Sequence, residues 1–342
     1  MIKVGIIGYG YWGPNLVRNF REAVEAQVVA VSDLREERLA LVKSRYSDIV
    51  TTTDYHDLLN IAEIDAIAIS TPVFTHYELG LAALRAGKHV LVEKPLASTS
   101  EQAAHLIQEA TQRNLVLLVD HTFVYTGAVR KVKELLNSGV LGDIYYYDSA
   151  RINLGLFQHD ISVIWDLAVH DLSIMDYLFE KPPYAVSTTG MSHFPGEPEN
   201  IAYLTLFFEN NMMAHINVNW LAPVKVRRIL IGGSQKMVVY DDLEPSEKIK
   251  IYDKGVTVKN EQESIYQMLI SYRTGDMLAP QLDMTEALKA EIAHFAQCIN
   301  GKAQPITSGA VGLRVIQIME AATESMAENG RMVEIQYIQR SK

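Results

Sequence analysis

Three short stretches of this chain combine residue types whose spacing could do chemistry: Gly8-Tyr9-Gly10-Tyr11-Trp12-Gly13, Glu93-Lys94-Pro95, and Asp166 with His170 four residues on. In the first, Gly8 permits a tight turn, Gly10 lets the backbone approach a pyrophosphate, and Gly13 lets a helix pack against a strand. Backbone N–H groups near Tyr11 and Trp12, at the positive end of the helix that follows, would hold phosphate oxygens. Glycines cluster in any tight turn, so context decides; here the run follows an apolar strand and opens a helix. The second stretch ends an apolar run in a carboxylate, an ammonium and a ring. Open parallel sheets bind ligands at such strand ends, although an isolated Glu-Lys-Pro also suits a solvated turn. In the third, a helix would put Asp166 and His170 on one face. A carboxylate orients an imidazole and raises its basicity, which suits a proton acceptor near neutral pH. The same spacing also describes a surface ion pair worth about 0.3–0.5 kcal/mol. No third ligand stands at a recognisable metal spacing, so no metal site is expected.

The elements that must position these residues alternate. A buried strand over 2–8 leads through the glycines into a helix over 14–25. A second strand over 26–32 ends at Asp33, where an acid binds a ribose diol and repels a 2′-phosphate. NAD is therefore favoured over NADP, with Arg35 close enough to weaken the preference. Asp33 also suits the cap of a helix over 35–45. A strand over 65–70, a helix over 75–86, the strand ending at Glu93, a helix over 100–113 capped by Ser98 or Ser100, and a strand over 115–120 complete a doubly wound parallel sheet. Thr71 and His76 follow a strand end and join Glu93 and Lys94 as candidate cofactor contacts. Beyond Asp120 the rhythm changes. After a helix over 127–138, strand-like runs at 142–152, 202–208, 213–220, 227–231 and 236–240 lack intervening helices, which implies a mostly antiparallel sheet. The expected organisation is a cofactor domain over 1–122 and a substrate domain over 123–342. A late helix over 313–326 places Ile316, Ile318 and Met319 in a core.

Two domains also suit the length of 342 residues. The 48% hydrophobic and 21% charged composition is that of a soluble globular protein. A net charge of −10 disfavours a nucleic-acid partner. A single cysteine, Cys298, excludes an intramolecular disulfide and fits a reducing cytoplasm. Strand-like sequence from Ile2 leaves no room for a signal peptide. No apolar stretch approaches the ~20 residues of a membrane helix, so a cytoplasmic protein without a membrane partner is expected.

With the glycine run, Glu93-Lys94-Pro95 and Asp166-x-x-x-His170 in this order, the chain resembles the Gfo/Idh/MocA oxidoreductase family over nearly its whole length. Thr71-Pro72 with His76, and Ala86-Gly87-Lys88-His89, are similar to that family too. The resemblance implies an N-terminal Rossmann domain and a C-terminal α/β domain whose open sheet mediates a homodimer or homotetramer. It implies hydride transfer between NAD(P) and a secondary hydroxyl of a sugar, cyclitol or nucleotide sugar. By position, Lys94 resembles the catalytic lysine, His170 the catalytic histidine and Asp166 its acidic neighbour. Many members carry paired glycines before the aspartate, where this chain has Ile161-Ser162-Val163-Ile164-Trp165, a departure that bears on the substrate pocket. The segments 10–20 and Asp120-His121-Thr122-Phe123 look most like bacterial members that oxidise the 3-hydroxyl of nucleotide sugars. In this reading His170 is the base, Asp166 holds its tautomer and Lys94 steadies the developing alkoxide; Lys94 as base is the open alternative. Tyr125, Arg151 and Asn153 are candidate substrate contacts. Arg227, Arg228 and Arg273 are either diphosphate ligands or surface charges. Two other readings stand beside it: an NAD-dependent glycoside hydrolase and a non-catalytic NAD-binding regulator. The latter has no need of proton-transfer groups.

Overall fold

A computed structural model describes residues 1–155, 159, 161–258 and 270–338. Among them the chain forms two compact units. The described residues of one lie within 1–126, 285–320 and 337–338, and those of the other within 127–284 and 321–336.

The first unit begins with strict alternation: β1 (Ile2–Ile7), α1 (Gly13–Glu22), β2 (Ala26–Ser32), α2 (Glu36–Arg45), β3 (Val50–Thr52), α3 (Tyr55–Asn60), β4 (Ala66–Ile69), α4 (Val73–Arg85), β5 (His89–Glu93), α5 (Ser100–Gln112) and β6 (Leu117–Asp120). All strand pairs are parallel, in the order 3-2-1-4-5-6. The expected doubly wound sheet is present. Its central strands are mostly apolar because helices cover both faces, and β4 is buried at every residue. The helix α1 sets Leu16, Val17 and Phe20 on one face against this sheet, each burial contributing roughly 1.5–3 kcal/mol. It ends earlier than expected, because Ala23 is already extended and turns the chain into β2. Thr99, rather than Ser98 or Ser100, caps α5 by accepting the Gln102 N–H at 3.3 Å. The short β3 and α3 fall below the length at which periodicity is readable.

The remaining elements are α6 (Gly127–Asn137), β7 (Ile144–Leu154), α7 (Val169–Leu178), β8 (Ala185–Met191), β9 (Ile201–Phe207), β10 (Met213–Asn219), β11 (Leu221–Gly233), β12 (Met237–Asp241), β13 (Ile249–Val258), β14 (Ile270–Leu278), α8 (Ala287–Ile299), α9 (Gly309–Ala327) and β15 (Val333–Glu334). The second unit holds a nine-stranded sheet of order 14-13-12-11-7-10-9-8-15. It is antiparallel except where β7 meets β10. Along β7, Tyr147, Ser149 and Arg151 are buried while Tyr146, Asp148 and Ala150 on the other face are half-exposed. This is the alternation of a sheet covered on one side.

The expected boundary at 122 assigned everything after it to one domain. Instead α8 and most of α9 cluster with the first unit. Leu288, Ile292 and Phe295 join Ile2, Leu16 and Phe20 in one core. Glu286 takes Arg18 Nη2 at 2.6 Å and the Asn19 amide at 3.1 Å. The segment before α9 then covers the β6 edge, where Val119 donates its N–H to the Thr307 carbonyl at 2.8 Å. An edge strand with unpaired backbone groups needs such a cover. Ile316, Ile318 and Met319 are core residues, as expected.

Gly8 has a φ of +97°, where a Cβ would come within 2.7 Å of the Ser70 carbonyl oxygen. A Cβ on Gly13 would press into the Gly8 carbonyl, backbone that cannot give way. Gly13→Ala is expected to lower the unfolding free energy by about 1–3 kcal/mol, read as the urea midpoint by circular dichroism. A wild-type midpoint would show that α1 does not need to sit this close to β1.

Candidate active site

The strand order reverses between β1 and β4, the point where open α/β sheets bind ligands. The glycine loop, Thr71, Glu93-Lys94 and Asp120 follow the carboxyl ends of β1, β4, β5 and β6 side by side. Gly8 donates its N–H to the Ser32 carbonyl at 2.8 Å, and its own carbonyl accepts the Ser70 hydroxyl at 2.9 Å. Around Gly10 nothing of the protein requires glycine, because a Cβ there would meet only Arg35, at 3.8 Å. The space above it fits a group brought from outside. No side chain caps α1, which leaves its positive end to an anion. Tyr11 is 89% exposed beside it.

Asp33 is fixed by this loop. Its Oδ2 accepts the Tyr9 N–H at 2.7 Å, and its Oδ1 accepts the Arg35 N–H at 2.9 Å and Nε at 3.3 Å. Burial pushes this carboxyl up, but the hydrogen bonds from Tyr9 and Arg35 outweigh it and hold it below the usual range. A carboxylate is thus presented beside the glycine loop. The alternative role as a helix cap is not realised, since α2 starts after Arg35 with no side-chain cap.

His76 corrects an expectation. It is 1% exposed, with Nδ1 at 2.8 Å from the Pro95 carbonyl and Nε2 at 2.8 Å from the Thr71 carbonyl. Both ring nitrogens face carbonyls at two strand ends, and burial opposes the second ring proton, so the neutral ring donates to one carbonyl and packs against the other. It is a wedge between strand ends rather than a group offered to a cofactor. The Thr71 hydroxyl pairs with that of Thr75 at 2.6 Å. Glu93 Oε2 accepts the Lys94 N–H at 2.6 Å, and the Lys94–Pro95 peptide is cis. Lys94 is half-buried, and its charge is felt by His76, Asp120 and His121. From the glycine loop, the Trp12 indole N–H reaches Asp120 Oδ2 at 2.6 Å. The sequence reading missed Glu291 of α8, which lies against Asp120. Tyr125 is a second correction: it is 3% exposed and its hydroxyl meets Thr307 Oγ1 at 3.1 Å, inside the unit rather than toward a substrate.

In the second unit, Asp166 sits in a π-helical turn over Ile164–Ala168, and His170 stands in the first turn of α7. Such turns recur at functional sites, and their i→i+5 ladder replaces the α-helical spacing assumed from sequence. Asp166 Oδ2 accepts the Trp220 indole N–H at 3.1 Å. His170 is half-buried, and Asp171 after it is fully enclosed. Asp171 takes the Ser149 hydroxyl at 2.7 Å and Arg151 Nε at 2.6 Å, with Nη2 at 3.3 Å. Arg151, expected at the substrate, is thus an interior anchor. Alternation along β7 turns it toward α7, where a guanidinium is tolerated only because Asp171 neutralises it. Asn153, on the same face, is half-buried; its amide and the Trp220 ring both flank Gly155. Arg227, Arg228 and Arg273 face Asp242, Asp241 and Asp253 at 3.4, 3.0 and 2.8 Å, the surface-charge alternative.

Comparison with known proteins gives the same picture. A sequence model of an oxidoreductase family's NAD-binding Rossmann fold matches residues 2–121, and the model of that family's C-terminal alpha/beta domain matches 133–335. UDP-N-acetylglucosamine 3-dehydrogenase of Acidithiobacillus ferrooxidans is 27% identical, over 92% of this chain and 94% of that protein. A solved structure of that dehydrogenase superposes with a TM-score of 0.79 at 26% identity, covering 95% of this chain and 97% of the other. The NADP-linked scyllo-inositol 2-dehydrogenase of Bacillus subtilis is 24% identical over 96% and 94%.

Asp171 beside His170 gives a stability test. Asp171→Ala leaves a buried guanidinium without its counter-charge and is expected to cost about 3–5 kcal/mol in chemical denaturation. Replacing Arg151 by Met in the same chain should recover part of the loss. A loss below about 1 kcal/mol for the single variant would place the pair among surface contacts.

Proposed function

Since the chain belongs to the Gfo/Idh/MocA oxidoreductase family, we propose that it is an NAD-dependent dehydrogenase acting on a secondary hydroxyl of a sugar or nucleotide sugar. The 3-hydroxyl of a UDP-sugar is the first substrate to test, because a UDP-N-acetylglucosamine 3-dehydrogenase is similar over nearly the whole chain. The observation that carries the cofactor assignment is the loop from Gly8 to Gly13, with Asp33 locked beside it and open space above Gly10. Gly8, Gly10, Tyr11, Trp12 and Gly13 would hold the pyrophosphate, and Asp33 the adenosine ribose. Thr71, Glu93 and Lys94 would border the nicotinamide. Bound there, NAD supplies the hydride acceptor.

The protein's own contribution is proton handling. Oxidising a carbinol requires the hydroxyl proton to leave as the hydride departs. His170 takes that proton, Asp166 orients the imidazole, and Lys94 donates a hydrogen bond to the oxygen as charge develops. Asn153 supplies a hydrogen bond to the substrate. Asp33 carries a negative charge where a 2′-phosphate would sit, which supports NAD over NADP. The open face of the nine-stranded sheet, with Tyr203 and Met213 exposed, is assigned to a second copy in a homodimer or homotetramer.

Positioned proton transfer contributes about 10²–10⁴-fold in rate. Lys94→Ala and His170→Ala are each expected to lower kcat by that order, with NAD⁺ affinity nearly unchanged. The assay is NADH absorbance with UDP-sugars, free sugars and inositols. NADH that accumulates with substrate consumption separates this reading from a glycoside hydrolase, in which reduction is transient. Near-normal turnover in both variants would end the assignment. Asp33→Ser removes charge-assisted hydrogen bonds worth about 1.5–3 kcal/mol. Its NAD⁺ dissociation constant should rise by about tenfold or more, and its preference over NADP⁺ should narrow. An unchanged ratio by isothermal titration would remove Asp33 from cofactor selection.

A further inference from the structure

Asp120 closes β6 directly opposite Glu93 in register. Its two oxygens are engaged by Trp12 Nε1, at 2.6 Å, and by the Thr122 hydroxyl. Glu291 comes to the same place from α8. It is fully enclosed and lies against Asp120 and Thr122, and among the described residues neither of its oxygens meets a conventional hydrogen-bond donor. Two carboxyl groups in contact and sealed from water cannot both be ionised. A hydrogen bond between them exists only when one keeps its proton.

The groups around the pair agree. From β5 come Glu93 and Lys94, from the turn after β6 come His121, Thr122 and Tyr125, and from the glycine loop comes Trp12. Burial, then the charge of Lys94, pushes His121 down to about 3, so it is neutral. Burial holds the Tyr125 phenol protonated as well. Lys94 can balance one of the two carboxylates, with Glu93 already on the same side of the ledger. Burial first, and then the neighbouring Asp120, drive Glu291 well above the usual carboxyl range, while burial raises Asp120 too.

We propose that Glu291 keeps a proton and donates it to Asp120, and that this pair is a positioning device for the cofactor loop. Glu291 holds Asp120, Asp120 holds the Trp12 indole, and Trp12 fixes the loop at the start of α1. This role rests on the assignment of the Gly8–Gly13 loop to NAD; the proton itself does not. A carboxyl whose folded-state pKa is raised contributes fully below its unfolded pKa and loses that contribution as pH rises through the folded value. Loss of the proton puts a second anion beneath the Trp12–Asp120 bond, and the loop loosens on the alkaline side.

The test uses the full chain in two measurements. Infrared spectra of the cofactor-free protein at neutral pH, in H2O and D2O, should show a protonated carboxyl C=O band that shifts on deuteration and is missing from Glu291→Gln. NAD⁺ titrations followed by tryptophan fluorescence should show the wild-type affinity falling on an alkaline limb, by about tenfold per pH unit once the proton is lost. Glu291→Gln, whose amide donates to Asp120 without a proton to lose, should lack that limb. Absence of the band, its persistence in Glu291→Gln, or a wild-type alkaline limb in that variant overturns the proposal. Failure of the wild type to bind NAD⁺ at any pH overturns the assignment of the loop instead, and the infrared band still decides the pair.

Discussion

A parallel sheet buried on both faces has nowhere to show polarity except at the ends of its strands. In the first unit β1, β4, β5 and β6 are nearly sealed along their lengths. The polar residues therefore collect in one row where the strands stop: the glycine loop, Ser70 and Thr71, Glu93 and Lys94, Asp120 and His121. Each strand end must also satisfy backbone groups that no longer have a ladder partner. Side chains from neighbouring ends do this. Ser70 bonds the Gly8 carbonyl, His76 sits between the Thr71 and Pro95 carbonyls, and Asp33 takes the Tyr9 N–H. The row is a cross-linked rim, and its geometry follows from the sheet.

The second unit solves a different problem. Its sheet is covered on one face, so alternate residues on each strand must be either packed or exposed. Placing Arg151 on the packed face of β7 forces a buried charge. The molecule answers with Asp171, held also by Ser149. Because Asp171 follows His170 on α7, this interior ion pair fixes the helix turn that carries the imidazole. The π turn before it re-aims Asp166, whose carboxylate meets the Trp220 indole.

Much of this was readable in advance. The parallel sheet, the glycine loop and the ends of β5 and β6 are local patterns: apolar runs of strand length, punctuated by glycine, proline or a charge. The antiparallel second sheet was legible from strands without helices between them. What was hidden depends on contacts distant in sequence. Glu291 looks like a surface glutamate on an amphipathic helix until α8 is seen packed beside β6. Arg151 looks like a substrate contact until its parity on β7 is known. His76 begins a helix beside a strand end, which is where a cofactor contact would stand. Only the positions of two carbonyls, one of them beyond a whole helix and strand, show that its ring is already used. The return of 285–320 to the first unit could not be read either, since nothing in the local sequence of α8 names its partner.

The electrostatics of the rim bear on which residue moves the substrate proton. His76 and His121 are the histidines near Lys94 whose protonation its charge opposes, and burial pushes both down before that charge acts. Pushed down to about 3, His121 stays neutral and cannot store a proton taken from a hydroxyl near neutrality, while the ring nitrogens of His76 already face two carbonyls. Asp120 is committed to Trp12 and Thr122, and Glu291 is fully enclosed. At this rim, among the described residues, Lys94 brings a cation, and neither His76 nor His121 is placed to act as base. His170 differs in kind: it is half-buried, on a helix anchored by its own neighbour, and next to a turn that presents Asp166. The Arg151–Asp171 pair, packed against the turn that carries His170, is what holds that imidazole in place.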